Sequence, residues 1–367
     1  MTRYGSMYGP DITFTGVPRC DLDDPATWAD AQAVIIGAPF DSGTSYRSGA
    51  RMGPMALRSC DYSEHTGSRP HLSLRVDPLL DLGVVDAGDV EMAPTEIARS
   101  LDSLRQAVHT VAAAGRIPVV LGGDHTVAQA DITAVAEHLG FGRVAVIHFD
   151  AHADTGDIQF GSLYGHGLPM RRLIESGAVR GDRFLQIGLR GYWPEPPELQ
   201  WMAEQGMRCY EMAEIGRRGL GVVLTESLAL AAQDTDGVWL SVDIDVVEPG
   251  LAPGTGTPEP GGLTGRELLD AVRRIAREAN LVGLEIVEVA PAYDHADVTA
   301  MLGNRVVLEA LSGIARRRAD AAAGTVWDEA TPLMALRVPT DATTPAAAEA
   351  LQAAQGTADD RDHERPL

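Results

Sequence analysis

Three short segments concentrate side chains that bind cations or move protons: Gly122-Gly123-Asp124-His125-Thr126, Asp150-Ala151-His152-Ala153-Asp154 and Asp243-Ile244-Asp245. A further carboxylate, Glu288, opens the run Glu-Val-Ala-Pro-Ala-Tyr-Asp. In extended backbone, Asp150, His152 and Asp154 project to one side, and Asp243 and Asp245 share the same relation. Together with His125 they offer two imidazoles and four carboxylates. Carboxylates gathered at one point force protons onto each other unless a cation neutralises them. Two divalent ions bring four positive charges, and six donors are too many for one closed tetrahedral site. Oxygen-rich donors with one imidazole per ion and no thiolate favour Mn2+-like ions over structural zinc. Two such ions ~3.5–4 Å apart hold a bridging water and bring its pKa towards neutrality. That supplies a hydroxide nucleophile without an activated Ser or Cys.

Each motif alone has a plainer reading. A lone Asp-X-Asp is commonly a loop cap, and Asp124 is placed to cap the helix that follows it. Three titratable groups buried in five residues without a partner are costly, so it is the joint pattern that carries the metal reading. His148 reads as a core histidine, and His65, His71, His109, His138, His295 and His363 as surface or loop residues. Asp86 and Asp89, in VVDAGDV, read as holding a turn.

Short apolar runs at 33–37, 117–121, 144–149, 184–188, 238–242 and 281–289 predict strands. Helical spacing of apolar residues covers 94–115, 127–139, 198–205, 264–279 and 301–315. This alternation predicts an α/β three-layer sandwich, a mostly parallel sheet with helices on both faces. Ligands bind such sheets beyond the carboxyl ends of the strands, where the polar clusters fall. The expected organisation is an N-terminal loop segment (1–28), one catalytic domain (29–318) and a C-terminal extension (319–367) whose Ala-, Thr- and Asp-rich end reads as disordered.

The 367 residues carry 52 acidic and 30 basic side chains, the latter all Arg, for a net charge of −22. That balance repels phosphate backbones and anionic lipid, so no nucleic-acid or membrane-surface role is expected. Cys20, Cys60 and Cys209 make neither a disulfide framework nor a zinc knuckle. With no secretory leader and no apolar run of ~20 residues, the chain reads as cytoplasmic. No phosphate-cradling glycine loop occurs, and the Pro-rich loop 252–262 reads as a rigid wall at the mouth of the pocket.

The segments GGDHT (122–126), FDAHAD (149–154), SVDIDVVEPGLAPGTGTPEPGG (241–262) and EVAPAYD (288–294), with GAPFDSGTSYRSGARMGP (37–54) before them, resemble the ureohydrolases, the arginase and agmatinase family. The resemblance covers roughly residues 30–318 and points to the agmatinase-like branch. It implies an arginase-like fold and two Mn2+ per subunit, with Ni2+ or Co2+ as alternatives. His125, Asp150, Asp154 and Asp243 would hold one ion, and His152, Asp150, Asp243 and Asp245 the other, Asp150 and Asp243 bridging. It places a proton-shuttling histidine at His166 and a guanidinium-binding carboxylate at Glu288. Asp154 would also orient the nucleophile. A homo-trimer or homo-hexamer is implied.

The implied reaction cleaves a guanidino compound to urea and an amine, with agmatine to putrescine, a step of polyamine biosynthesis, as the leading expectation. Guanidinobutyrase, proclavaminate amidinohydrolase and guanidine hydrolase activities are the alternatives. The interval 155–165 lacks the Asn and Ser-Gly-Asn pattern of the arginase branch, which argues against arginine. Asp157 is the candidate for a distal ammonium and Arg47 for a distal carboxylate. The aromatic insert 191–201 would narrow the pocket or pack on a neighbouring subunit. A deacetylase-like metal hydrolase and a non-enzymatic assembly or regulatory homologue are the other classes; GTGTPE disfavours the first, and the complete ligand set the second.

Overall fold

A computed structural model describes residues 3–331 of the chain. The segment expected to be disordered, 340–367, lies outside the described residues. Contacts delimit a first compact unit that ends at Val326. It contains a single sheet of β1 (Arg3–Tyr4), β2 (Ala33–Gly37), β3 (Val85–Val90), β4 (Ile117–Leu121), β5 (Val144–Phe149), β6 (Val179–Leu189), β7 (Arg208–Glu211), β8 (Gly237–Asp243) and β9 (Leu281–Val287). Its order is β1-β3-β2-β4-β9-β8-β5-β6-β7. The strands run parallel except β1, which pairs antiparallel with β3 at the edge.

The central strands are mostly apolar, since helices cover both faces. Every residue of β2, β4, β5 and β8 is buried, and removing each Val, Ile or Leu side chain from water contributes roughly 1.5–3 kcal/mol. One helical layer is α3 (Ile97–Ala113), α4 (Ala128–Leu139) and α5 (Pro169–Glu175), packed in succession. The other joins α1 (Gly53–Ser59) and α2 (Pro78–Asp81) to α10 (Val298–Ala323), α10 to α9 (Gly265–Glu278), α9 to α8 (Leu220–Ala231) and α8 to α7 (Met212–Arg218). The helix α6 (Pro196–Glu204) follows β6. The start of α9 was legible: Thr264 and Glu267 form a capping box.

This is the three-layer α/β sandwich the alternation predicts, although α1, α2, α5, α7, α8 and the edge strands β1 and β7 were not expected and two further elements differ. Val85–Val90 is a buried strand and not a turn. Asp86 and Asp89 are tolerated there because the buried Arg58 of α1 reaches both; its Nε lies 2.9 Å from Asp86 Oδ2. A strand with two inward carboxylates is invisible to hydrophobic periodicity; only its distant counter-charge explains it. The last helix also runs beyond the expected 301–315 to Ala323. It is long and apolar enough to cross a membrane by length and composition, but 72% of its apolar window is buried within the protein.

Candidate metal centre

The four strands at the middle of the sheet, β4, β9, β8 and β5, are consecutive neighbours. Each ends in one of the polar segments. After β4, Gly123 passes so close to Phe40 that a Cβ would lie 1.8 Å from the Phe40 carbonyl oxygen, so only glycine fits. Asp124 caps the short turn that follows, accepting from the Thr126 N–H at 3.0 Å. Its other oxygen accepts from the Gly43 N–H at 2.7 Å, which ties the loop 37–54 to the site.

His125 stands at the centre. Its Nε2 lies 2.9 Å from Ser241 Oγ; in a neutral ring that donates Nε2–H to this hydroxyl, the Nδ1 lone pair faces inward. There Nδ1 is 3.1 Å from Asp150 Oδ2, 3.0 Å from Asp154 Oδ2 and 3.3 Å from Asp243 Oδ2. A second group adjoins it: His152 Nδ1 lies 3.0 Å from Asp245 Oδ2 and 3.5 Å from Asp150 Oδ1.

Three carboxylates divide their oxygens alike. Asp150 Oδ1 accepts from the His152 N–H at 2.6 Å, Asp243 Oδ1 from the Asp245 N–H at 2.8 Å and Asp245 Oδ1 from the Ala151 N–H at 3.2 Å. The other oxygen of each faces an imidazole. The convergence does not come from extended backbone, as the spacing suggested. Asp243 caps a short 3-10 turn, Ile244–Val246, and Asp154 adopts a left-handed conformation with φ 54°.

Burial dominates the ionisation of this cluster. It works with neighbouring carboxylates to raise Asp154, Asp243 and Asp245 above the usual range. Burial opposes charge on His125 and His152 as well, but the surrounding carboxylates outweigh it and raise both well above the ordinary histidine value. Asp150 is pulled well down, against burial, by the adjoining imidazoles of His125 and His148. The cluster therefore demands positive charge. Its geometry does not supply that charge through ordinary hydrogen bonds: His125 Nδ1 and Asp150 Oδ2 are buried and close, yet neither makes one. Buried polar atoms left in that state are costly. A cation among hard oxygens and imidazole nitrogens satisfies them together, so the donor set fits a metal ion.

His148 is buried, as expected of a core histidine, but its Nε2 lies 2.9 Å from Asp150 Oδ2. The Gln186 side chain at 3.2 Å holds its other nitrogen, Nδ1. Behind His125, Glu285 Oε1 lies 4.0 Å from Nε2. Neither role is marked by sequence spacing, because both side chains sit inside strands that read as plain core.

Glu288 follows β9 with φ 62°. Left-handed non-glycine residues of this kind cost roughly 1–3 kcal/mol and concentrate at functional sites. Its Oε1 accepts from the His125 backbone N–H at 2.9 Å and meets His166 Nδ1 at 2.8 Å. Its Oε2 is buried and makes no hydrogen bond. Gly256 passes close by; a Cβ there would lie 3.3 Å from Glu288 Oε2 and 3.0 Å from the Arg47 carbonyl oxygen. His166 Nε2 lies 2.6 Å from Ser45 Oγ and 3.1 Å from the Ser45 nitrogen. Burial opposes charge on His166, but Glu288 overcomes it and lifts the ring to about 9.

Of these groups His152, Asp154, His166 and Asp243 line a cavity of ≈220 Å³, together with Ser45, Gln159, Trp193 and Thr257. Trp193 belongs to the insert 191–201, and Thr257 to the Pro-rich loop. Two expected residues stay outside. Asp157 is half-exposed and paired with Arg172 at 2.9 Å. Arg47 does not line the cavity; its guanidinium lies 5.1 Å from the Tyr46 ring and 5.4 Å from the Tyr293 ring. Ser45 was missed, although it lies in the quoted run 37–54.

The model of the Arginase family matches residues 31–313. The chain belongs to the arginase family. Proclavaminate amidinohydrolase of Streptomyces clavuligerus is 39% identical over 285 residues, covering 77% of this chain and 88% of that one. Its solved structure superposes with a TM-score of 0.75 over 84% of this chain and 99% of that chain, at 34% identity. The mitochondrial agmatinase of Gallus gallus is 38% identical over 287 residues, 76% of this chain and 80% of that one. A Trypanosoma cruzi formiminoglutamase variant solved with Mn2+ is 26% identical with a TM-score of 0.71, over 78% of this chain and 94% of that one. This arginase-family chain is a ureohydrolase with agmatinase-like relatives, a hydrolase of C–N bonds in amidino and guanidino groups, and its buried His/Asp cluster is a plausible binuclear metal site.

Proposed function

We propose that the chain hydrolyses a linear guanidino acid to urea and an ω-amino acid, using two Mn2+ ions. His125, Asp150, Asp154 and Asp243 would hold one ion, and Asp150, His152, Asp243 and Asp245 the other. When bound, such a pair supplies an activated water at neutral pH and balances the carboxylate charge. The protein contributes the rest. Glu288 Oε2, buried and without a hydrogen bond, accepts an N–H of the guanidinium and fixes its plane. Asp154, at the cavity wall, orients the attacking water. His166 hands a proton to the departing nitrogen, since an amine leaves poorly unless protonated. Trp193 and Gln159 narrow the passage to the reacting carbon.

The acid is favoured over agmatine by how two charges are used. Asp157, the expected partner of a distal ammonium, is occupied by Arg172 and Arg171. Arg47 pairs with no carboxylate of the described residues, and its main chain borders the Glu288 carboxylate across Gly256. That guanidinium, paired with no carboxylate and carried on a main chain beside Glu288, supports the reading.

The test is urea release with Mn2+ or Ni2+ over agmatine, guanidinobutyrate, guanidinopropionate, arginine and guanidine. A guanidino acid should give the highest kcat/KM. Arg47→Gln should lower that value tenfold or more, the scale of one charge-assisted hydrogen bond (~1.5–3 kcal/mol), and leave agmatine turnover little changed. Agmatine as the best substrate, with Arg47→Gln indifferent, would remove the acid specificity. No urea from any of them would remove the reaction.

A further inference from the structure

Most arginines of the described residues are spent on carboxylates, as expected in a chain with 52 acidic and 30 basic side chains. Three that are not share one cavity. Arg116, Arg317 and Arg318 line a space of ≈260 Å³ bordered by Ile117 and Leu281. Those two are the first residues of β4 and β9, so the cavity lies at the opposite end of these strands from the metal centre.

Each guanidinium contacts a neutral acceptor. Arg116 Nη2 donates to the Ala29 carbonyl at 2.6 Å, Arg317 Nη1 to Asn280 Oδ1 at 3.3 Å and Arg318 Nη1 to Gln32 Oε1 at 2.7 Å. No carboxylate of the described residues forms an ion pair with any of the three. His138 adds a further nitrogen-bearing ring to the lining. Like charges converging on one concave space are unfavourable without a counter-charge. Arg318 registers this: burial, then the charges of Arg116 and Arg317, press its pKa below the ordinary arginine value. The nearby Asp320 does not relieve it, being engaged by Arg277 and Arg316.

We propose that this cavity is a binding site for a small multivalent oxyanion, carboxylate- or sulfate-like, held by the Arg116, Arg317 and Arg318 guanidinium groups remote from the hydrolytic centre. Planar guanidinium forks match such oxygens in pairs. The apolar wall formed by Ile117 and Leu281 accommodates a short carbon skeleton between the charged groups.

Isothermal titration of the metal-loaded full chain, at ionic strength held constant with chloride, tests this. The probes are sulfate, for an inorganic oxyanion, and propane-1,2,3-tricarboxylate, for an organic one. The expected result is one anion per chain, with affinity at least tenfold weaker in the double variant Arg317→Gln/Arg318→Gln. Both positions are exposed, so that variant should keep its melting temperature in chloride and its urea release. Arg47→Gln should bind the anion as the unaltered chain does. Tighter binding of sulfate or of the tricarboxylate identifies which source of oxyanion the cavity suits. Absence of binding by both probes, or equal affinity in the double variant, overturns the proposal.

Discussion

Glu288 serves several groups with one carboxylate. Oε1 is held by the His125 main chain and by His166, which leaves Oε2, the atom proposed to meet the guanidinium, without a hydrogen bond. The same contact keeps His166 charged at neutral pH, because Glu288 raises it to about 9 against the opposing effect of burial. The Ser45 main-chain N–H donates to Nε2 of the neutral ring, and Ser45 Oγ is the acceptor beside Nε2–H when the ring is charged. Ser45 thus accommodates the ring on either side of a proton transfer. If protonated His166 is the acid, kcat holds through neutral pH and falls as pH rises past about 9. Glu288→Gln should move that alkaline limb down towards the unperturbed histidine value of ~6.5, read from the pH profile of residual activity. The stability sign follows from the same shift: the charged ring's contribution is complete below ~6.5 and is lost as pH climbs through the raised value. A second prediction concerns Asp150, which adjoins both donor groups. Asp150→Ala should lose both metal ions by elemental analysis, and a variant that retained two per chain would refute its bridging place. The residues on both sides of these contacts were legible where their types are rare in combination. His148 and Ser45 were not, because a core histidine and a loop serine acquire meaning only through neighbours far away in the chain.

At the scale of elements, the strands of the site were readable because a buried parallel strand is a continuous apolar run. The turns beyond them were not. The spacing of Asp150 to Asp154 suggested alternation along extended chain, whereas a left-handed Asp154 and the short turn capped by Asp243 bring the oxygens together. Periodicity describes regular backbone, and these segments are irregular because they serve the site. β3 failed for a different reason: its acidic residues are neutralised by Arg58, which is remote in sequence. That ion pair is buried, so truncating one partner strands the others. Arg58→Met should destabilise the fold by roughly 3–5 kcal/mol in denaturant titration. A loss below ~1 kcal/mol would show that Asp86 and Asp89 find other neutralisation.

For the whole molecule, composition excluded more than it specified. A net charge of −22 argues against phosphate and anionic-lipid partners, yet it conceals a local arginine-rich cavity at the far end of the central strands. Net charge averages over a surface, whereas recognition depends on a few square nanometres of it. The order of the sheet explains why four separate stretches of sequence share a site: β4, β9, β8 and β5 lie side by side, so their ends form one platform. On that platform Asp150, Asp243 and Asp245 each fasten one oxygen to a main-chain N–H. The inward-facing atoms are consequently placed by the polypeptide before any cation arrives. A cage preset in this way fixes donor type and spacing in advance, and those, with the supply of metal, would set which divalent ion it prefers.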